Sequence, residues 1–192
     1  MITERTATCA CKNIEITLSA NPDAVIVCSC TECQRRTGSA FGISAYYSES
    51  KLASKSGETN SYKRISDSGE QLEFFFCVNC GTSVWWIADI APGYLAASGG
   101  CFADPEFPVP LMSFWEETKH PWVKFKFPPL SLKTQPPGFI NRFILSLRAA
   151  KLIYGLLELL KSFSPKRETE THLKKCGLLD AYGHLSAKQK NV

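Results

Sequence analysis

Three cysteines within six residues, Cys28, Cys30 and Cys33, have the strongest potential for chemistry in this sequence. Thr31 and Gln34 have the spacing of a capping box, which predicts that a short helix begins here with Cys33 in its first turn. Three thiolates without a fourth local ligand make an incomplete tetrahedral metal site. Because catalytic zinc sites keep one position for water or substrate, these cysteines are predicted to hold a catalytic zinc ion with an open position.

Two arginines follow this motif directly. Together with the helix dipole, Arg35 and Arg36 are expected to lower the thiol pKa of Cys33. Either arginine could also pair with a carboxylate of an anionic substrate. A fourth ligand from elsewhere in the chain, such as Cys101 or His120, would instead close the site and make it structural.

Four further cysteines form a second set, in which Cys9 and Cys11 combine with Cys77 and Cys80. Residues i and i+2 of a strand face the same way, so Cys9 and Cys11 are expected to present both sulfurs to one ion. The Cys-x-x-Cys-Gly sequence is a tight turn that does the same. Four thiolates are typical of a closed structural zinc site, which would tie the N-terminal strand to a later hairpin. Iron accepts the same ligands, but zinc suits them better.

Length and composition place the chain among globular proteins. Its 192 residues are 44% hydrophobic and 21% charged, which is enough for one ordinary domain and an appendage. The N-terminal residues carry charge and no apolar run, which predicts a cytoplasmic protein in a reducing compartment. Eight of the nine cysteines lie in the first 101 residues. In such a compartment their paired spacings indicate metal binding rather than disulfides.

Charge divides the chain into two parts. Residues 1–130 contain 11 Lys and Arg against 14 Asp and Glu, a net charge of −3, and residues 131–192 contain 11 against 4, a net charge of +7. The change falls in the segment 128–138, whose four prolines cannot continue a helix or a central strand. We therefore expect a zinc-binding catalytic domain over 1–130, and a linker, helix and basic tail over 131–192.

Short β-type segments dominate the first part. Alternating or β-branched residues predict strands at 13–18, 24–28, 71–77, 82–87 and 94–99. One short helix is predicted over 32–37. A strand-rich domain of this kind is expected to form an antiparallel sheet or sandwich.

The order of the cysteine motifs resembles that of a known family. Cys-x-Cys, Cys-x-Cys-x-x-Cys-x-x-x-x-Gly, Phe-Cys-x-x-Cys-Gly, Ser-Gly-x-x-x-x-Asp-Pro and a closing Trp follow one another over about residues 5–127. This pattern is similar to that of the glutathione-dependent formaldehyde-activating enzyme family, which also includes centromere protein V. The resemblance implies a β-tent fold with two zinc ions. The implied ligands are Cys9, Cys11, Cys77 and Cys80 for a structural zinc, and Cys28, Cys30 and Cys33 for a catalytic zinc.

By the same resemblance, the activity is that of a carbon–sulfur lyase that forms S-hydroxymethylglutathione from formaldehyde and glutathione. The chain departs from the family pattern at two positions, where Lys12 replaces a common Gly and Ser29 replaces a common His. Both changes leave the seven ligands in place. We therefore expect a zinc-dependent lyase or synthase that acts on a thiol–aldehyde adduct, with Arg35 and Arg36 as candidate substrate-binding residues.

The alternative function is a non-enzymatic zinc-binding module whose basic tail binds a partner protein, a membrane or, least expected, nucleic acid. Residues 139–161 are rich in helix formers, but Arg148 and Lys151 near the middle argue against a membrane span. Polar residues also interrupt the apolar stripe of this helix. We expect it to pack on its own domain, on a second copy of the chain or on an anionic membrane surface.

Overall fold

A computed structural model describes residues 4–66, 69–126 and 130–134 of the chain. Most regular structure in these ranges is β, as predicted. The strands are β1 (Arg5–Thr8), β2 (Glu15–Leu18), β3 (Ala24–Cys28), β4 (Gly42–Ser48), β5 (Leu52–Ser56), β6 (Thr59–Ile65), β7 (Gln71–Cys77), β8 (Ser83–Ala88), β9 (Tyr94–Ser98), β10 (Met112–Phe114) and β11 (Leu130–Ser131). The α-helix of the described residues is α1 (Thr31–Thr37), and short 3-10 helices span Glu49–Lys51, Gly99–Phe102 and Glu116–Thr118.

The strands form two sheets. One has three strands in the order β1-β2-β5, and the other has eight in the order β11-β10-β3-β4-β9-β8-β7-β6. Strand β10 runs parallel to β3 and to β11, whereas the other pairs are antiparallel. The large sheet is therefore mixed at this edge rather than antiparallel throughout. The alternation of side chains in sequence carries no information on strand direction, so this edge could not be predicted.

A hydrophobic core holds the two sheets together. Ile16 and Leu18 of β2 belong to the same buried cluster as Val25 of β3 and as Ala45 and Tyr47 of β4. Burial of a large aliphatic side chain contributes about 1.5–3 kcal/mol. This cluster therefore fixes one face of the large sheet against the small sheet.

The opposite face of the large sheet is also buried at its centre. Ala24, Tyr46, Ala96, Trp86 and Phe74 lie directly opposite one another across β3, β4, β9, β8 and β7. All five are at most 6% exposed. Because side chains alternate along a strand, this row points away from the core between the sheets. We call this side of the sheet the pocket face, since Tyr46, Trp86 and Phe74 of the row line the pocket described below.

The predicted linker at 128–138 falls largely outside the described residues, and the predicted helix at 139–161 and the basic tail lie outside them entirely. In the described part of the chain, no helix is both long enough and apolar enough to cross a membrane.

Candidate metal centres

The first cysteine cluster consists of Cys9, Cys11, Cys77 and Cys80, whose sulfur atoms all lie within 4.8 Å of one another. The Sγ atom of Cys11 lies 3.5 Å from that of Cys9 and 3.6 Å from that of Cys77. Cys9 and Cys77 are buried, and Cys11 and Cys80 are exposed. Four thiols at these distances can hold a metal ion.

Two turns position these four thiols. The prediction that Cys9 and Cys11 share a strand face is wrong, because β1 ends at Thr8 and both cysteines lie in the turn that follows. The N–H of Lys12 donates to the carbonyl of Cys9 at 2.9 Å and closes this turn. The N–H of Ile14 donates to the Sγ of Cys9 at 3.2 Å. The turn therefore brings the sulfurs of Cys9 and Cys11 close together, and it provides a hydrogen bond that favours the thiolate form of Cys9.

Lys12 adopts a left-handed backbone conformation with φ of 62°. This conformation costs a residue with a side chain about 1–2 kcal/mol, which explains why glycine suits the position. We expect Lys12→Gly to raise the free energy of unfolding by about 0.5–1 kcal/mol, since the greater freedom of glycine in the unfolded chain offsets part of the gain. Denaturant unfolding of metal-loaded protein measures this change. Lys12→Ala is the matched control, and an equal gain from alanine would show that the backbone conformation is not the cause.

The surroundings of the first cluster differ between its buried and exposed members. Hydrogen bonds from the hydroxyl and the backbone N–H of Thr82 lower the pKa of Cys80 to about 5. Burial raises the pKa of Cys9. The exposed thiol of Cys80 therefore ionises readily, whereas the buried thiol of Cys9 needs a nearby cation to ionise.

The second cluster consists of Cys28, Cys30 and Cys33, whose sulfur atoms also lie within 4.8 Å of one another. Cys28 ends β3, Cys30 caps α1 and Cys33 lies in the first turn of α1. The N–H of Cys33 donates to the Sγ of Cys30 at 3.4 Å. The prediction that Thr31 caps the helix is wrong by one residue, because the thiol of Cys30 takes this role.

Hydrogen bonds hold the loop between β3 and α1 in place. The carbonyl of Ser29 accepts from Nε2 of Gln34 at 2.7 Å and from Oγ1 of Thr118 at 2.9 Å. The N–H of Ser29 donates to the carbonyl of Phe114 at 3.0 Å. These contacts connect the cysteine loop to the helix and to β10, so the cluster is positioned before any ligand arrives.

Neither of the candidate fourth ligands joins the second cluster. Nε2 of His120 lies 3.0 Å from Oε1 of Gln34, and the imidazole stacks on Trp122. The thiol of Cys101 is directed to the carbonyl of Ser83, with an Sγ–O distance of 3.8 Å. Among the residues that the structure describes, the cluster therefore contains three metal-binding side chains.

The three thiols of the second cluster share hydrogen bonds and burial. Hydrogen bonds with Cys28 and Cys33 strongly lower the pKa of Cys30. For Cys33, the hydrogen bond with Cys28 lowers the pKa, but the hydrogen bond with Cys30 and burial outweigh it and raise the pKa to about 11. Arg36 lowers the pKa of Cys33, as expected, but the hydrogen bond with Cys30 and burial outweigh this effect, so the expected net lowering does not occur. A metal ion would replace the remaining protons.

The second cluster lines a pocket of about 80 Å³. The pocket face of the large sheet contributes Tyr46, Trp86 and Phe74, and Trp115 lines the pocket from beyond β10. Gly42 makes room for α1, because a Cβ atom there would lie 3.2 Å from a guanidinium nitrogen of Arg36. The three thiols are thus enclosed by aromatic side chains and by the helix that contains Cys33 and is capped by Cys30.

Arg36 is one of two arginines that line this pocket. Its guanidinium carbon lies 4.7 Å from the ring centre of Trp86 and 5.1 Å from that of Phe74. Arg64 of β6 lies 5.8 Å from the same Phe74 ring and lines the same pocket. Neither arginine forms an ion pair with a carboxylate of the described residues. Both positive charges are therefore available to an anionic ligand.

Arg35 has a different environment. It pairs with Glu32 one turn away, and its side chain is 74% exposed. A second cavity of about 490 Å³ is lined by Arg35 together with Arg36, Arg64 and Phe74. Because Arg36, Arg64 and Phe74 also line the smaller pocket, the two cavities adjoin.

The position of Arg64 was not predicted from the sequence, since nothing in the polar strand β6 indicates that this residue approaches the cysteines.

The other aromatic residues near the site lie on different faces of the large sheet. Tyr46 lines the pocket, whereas Tyr47 lies in the core between the sheets. Trp85 stacks on Phe75 with ring centres 3.7 Å apart. Burial raises the pKa of Tyr46, so its phenol stays protonated near neutral pH.

Together these features define a mainly β protein with two cysteine clusters able to hold metal ions, one of which lines an enclosed pocket. Residues 4–118 match the family model described as glutathione-dependent formaldehyde-activating enzyme. The chain therefore belongs to this family, which confirms the resemblance seen in the sequence. The crystal structure of a Rhodobacter sphaeroides protein, a structural genomics target, matches with 22% identity over 55% of this chain and 97% of that chain, at a TM-score of 0.42. Among curated proteins, none matches this chain.

Proposed function

We propose that this chain is a zinc-dependent carbon–sulfur lyase or synthase that makes and breaks the adduct of glutathione, or another small thiol, with formaldehyde or a similar small aldehyde. The three-thiol cluster in the pocket carries this proposal, because no fourth protein ligand occupies it among the described residues. A purely structural site needs four protein ligands. Family membership supports the class of substrate.

Zinc fits the donor sets of both clusters. Thiolates are among the ligands that zinc prefers, and four of them at about 2.3 Å from the ion lie about 3.8 Å from one another. The separations of 3.5 Å and 3.6 Å in the first cluster are close to this value. We therefore assign a structural zinc to Cys9, Cys11, Cys77 and Cys80, and a catalytic zinc to Cys28, Cys30 and Cys33.

The catalytic zinc, when bound, would supply Lewis acidity that lowers the pKa of a thiol in the open position. The chain's own residues orient and confine the reactants. Trp86, Phe74 and Trp115 surround the cluster with apolar surface, which excludes water and strengthens electrostatic interactions inside. Holding a thiol and a carbonyl side by side in this volume converts a bimolecular step into an effectively unimolecular one.

The volumes of the two cavities, and the arginines that line both, fit a substrate with a small reactive end and a larger anionic remainder. The inner pocket of about 80 Å³ admits a thiol group and a small aldehyde, and the adjoining cavity of about 490 Å³ has room for a peptide-sized remainder. Arg36 and Arg64 lie where the two cavities adjoin. Guanidinium groups bind carboxylates through charge-assisted hydrogen bonds, so a thiol that carries carboxylates, as glutathione does, is favoured over a neutral one.

Arg36→Gln is expected to weaken the binding of glutathione by about 10-fold or more, because a hydrogen bond to a charged group contributes about 1.5–3 kcal/mol. The affinity for 2-mercaptoethanol, which has no carboxylate, should not change. Arg35→Gln is the matched control on the same helix. Arg35 is mostly exposed and pairs with Glu32, so this substitution should change the affinity for glutathione only slightly. Thiol titrations of the three proteins measure these affinities. Equal losses for both thiols would contradict the assignment of Arg36 to carboxylate binding.

The activity itself can be followed by exchange spectroscopy with ¹³C-formaldehyde and glutathione at equilibrium. We expect catalytic amounts of the zinc-loaded protein to accelerate exchange between free aldehyde and S-hydroxymethylglutathione without changing their ratio. No acceleration with glutathione or with any other small thiol and aldehyde would contradict the proposed function.

We also propose that the protein works in the reducing environment of the cytoplasm. Both sites require free thiols, and the eight cysteines of the described residues are all free. Oxidation to disulfides would remove the metal ligands, so a reducing compartment matches the proposed chemistry.

A further inference from the structure

Tyr46 places a hydroxyl group inside the pocket that has no partner in the described protein. The residue is 6% exposed and lines the pocket together with the three cysteines. Among the described residues, none forms a hydrogen bond with this hydroxyl, which is open to the pocket, unlike the fully enclosed hydroxyl of Tyr47. Buried tyrosine hydroxyls usually have a hydrogen-bond partner, so a hydroxyl left open toward a pocket suggests a ligand as its partner.

The fold fixes the direction of this hydroxyl relative to the cysteines. In the β3–β4 ladder, Cys28 lies opposite Gly42 and Ala24 lies opposite Tyr46, so Cys28 and Tyr46 lie on the same face of the sheet. The hydroxyl of Tyr46 interacts electrostatically with Cys28, with Cys33 and with the guanidinium of Arg36. The group therefore lies on the same side of the sheet as the thiols and lines the same pocket.

We propose that the Tyr46 hydroxyl donates a hydrogen bond to the aldehyde oxygen in the pocket and stabilises the negative charge that develops there. This inference rests on the proposed function and assigns a catalytic residue that is not a metal ligand. The neutral phenol is a suitable donor, because it offers a hydrogen without adding charge to the pocket. Arg36 and Arg64 remain available to the carboxylates of the thiol.

The step balances without a further reactant. The thiolate sulfur forms a bond to the carbonyl carbon, and the π electron pair of the carbonyl moves to oxygen. That oxygen then takes up one proton, which matches the one proton that the thiol has lost, and the product is the S-hydroxymethyl thioether. In the reverse direction the carbon–sulfur bond breaks, and the same hydrogen bond stabilises the same oxygen. Tyr46 thus acts on the oxygen, while the cysteine cluster acts on the sulfur.

Tyr46→Phe tests this assignment, because it removes the hydroxyl and keeps the buried ring. We expect kcat to fall by about 100-fold, the scale seen when one donor to a developing oxyanion is removed. The metal content and the affinity for glutathione should not change. Tyr47→Phe is the matched control, since Tyr47 is the next residue, is fully buried on the opposite face and also has an unpartnered hydroxyl. It should leave kcat unchanged.

A binding measurement gives a second readout that does not depend on turnover. S-formylglutathione has a carbonyl oxygen on the carbon next to sulfur, and S-methylglutathione lacks it. We expect the zinc-loaded wild type to bind the formyl compound about 2- to 12-fold more tightly, the value of one hydrogen bond, and Tyr46→Phe to lose this preference.

The possible outcomes distinguish the role of Tyr46 from the proposed function. A Tyr46→Phe protein with wild-type kcat, or with an unchanged preference for the formyl compound, would overturn the role of Tyr46 and leave the proposed function standing. A wild-type protein that neither accelerates exchange nor binds either compound would overturn the proposed function and the role of Tyr46 with it.

Discussion

The Cys9→Ala variant is expected not to form the folded domain. Cys9 is 2% exposed and belongs to the buried cluster between the sheets together with Cys77. A structural zinc contributes about 10–16 kcal/mol to small zinc domains, which is comparable to the whole stability of a typical domain, about 5–15 kcal/mol. Loss of one ligand from the four-cysteine site should therefore remove most of the free energy that keeps the two sheets together. Circular dichroism and thermal unfolding of the reduced, purified protein measure this.

Cys101→Ala is the matched control for this experiment. Cys101 is a half-buried cysteine outside both clusters. It packs against the core cluster, so its loss should cost only the small amount typical of a partly buried side chain. If Cys9→Ala unfolds cooperatively near the wild-type temperature, the first cluster does not hold a structural metal.

The Cys33→Ala variant is expected to lose activity while it keeps its fold. The second cluster lies on the pocket face of the large sheet and not in the core between the sheets, so the core does not depend on it. Two remaining thiols bind a zinc ion much less tightly than three, and the exchange of aldehyde between free and thiol-bound forms should fall to the uncatalysed rate. Metal analysis should find one zinc ion per chain in the variant and two in the wild type.

The contrast between these two variants separates the two metal sites. Retention of both zinc ions by Cys33→Ala would mean that another ligand completes the second site. Loss of the fold in Cys33→Ala would mean that the second cluster is structural. Cys101→Ala should retain two zinc ions and full activity in the same assays.

The division of seven cysteines into two clusters could be predicted from their spacing alone. Two sulfurs within a few residues of each other are brought together by local chain geometry, whatever the rest of the fold does. The strands over 24–28 and 71–77 were predicted with their observed ends, since both are interior strands with strong β-type patterns. In this protein, local patterns thus predicted the two cysteine clusters and the most regular strands.

The pocket could not be predicted, because it depends on which strands are neighbours. Arg64 reaches the site because β6 pairs with β7, whose Phe74 lies opposite Trp86 of β8. Alternation shows that Tyr46 and Tyr47 point to opposite faces, but it does not show which face holds the cysteines. The turn at Cys9–Lys12 was missed for a related reason. A lysine with positive φ gives no sequence signal of a turn, whereas a glycine would.

We expect the site formed by Cys28, Cys30 and Cys33 to keep one metal position open for a substrate thiol. The most direct test replaces zinc with cobalt(II) in the full chain and titrates glutathione while the thiolate-to-cobalt absorption is recorded. We expect two cobalt ions per chain, and a spectral change that saturates at one thiol per chain and is absent in Cys33→Ala. Two bound cobalt ions with no spectral response to glutathione or to any small thiol would contradict this expectation.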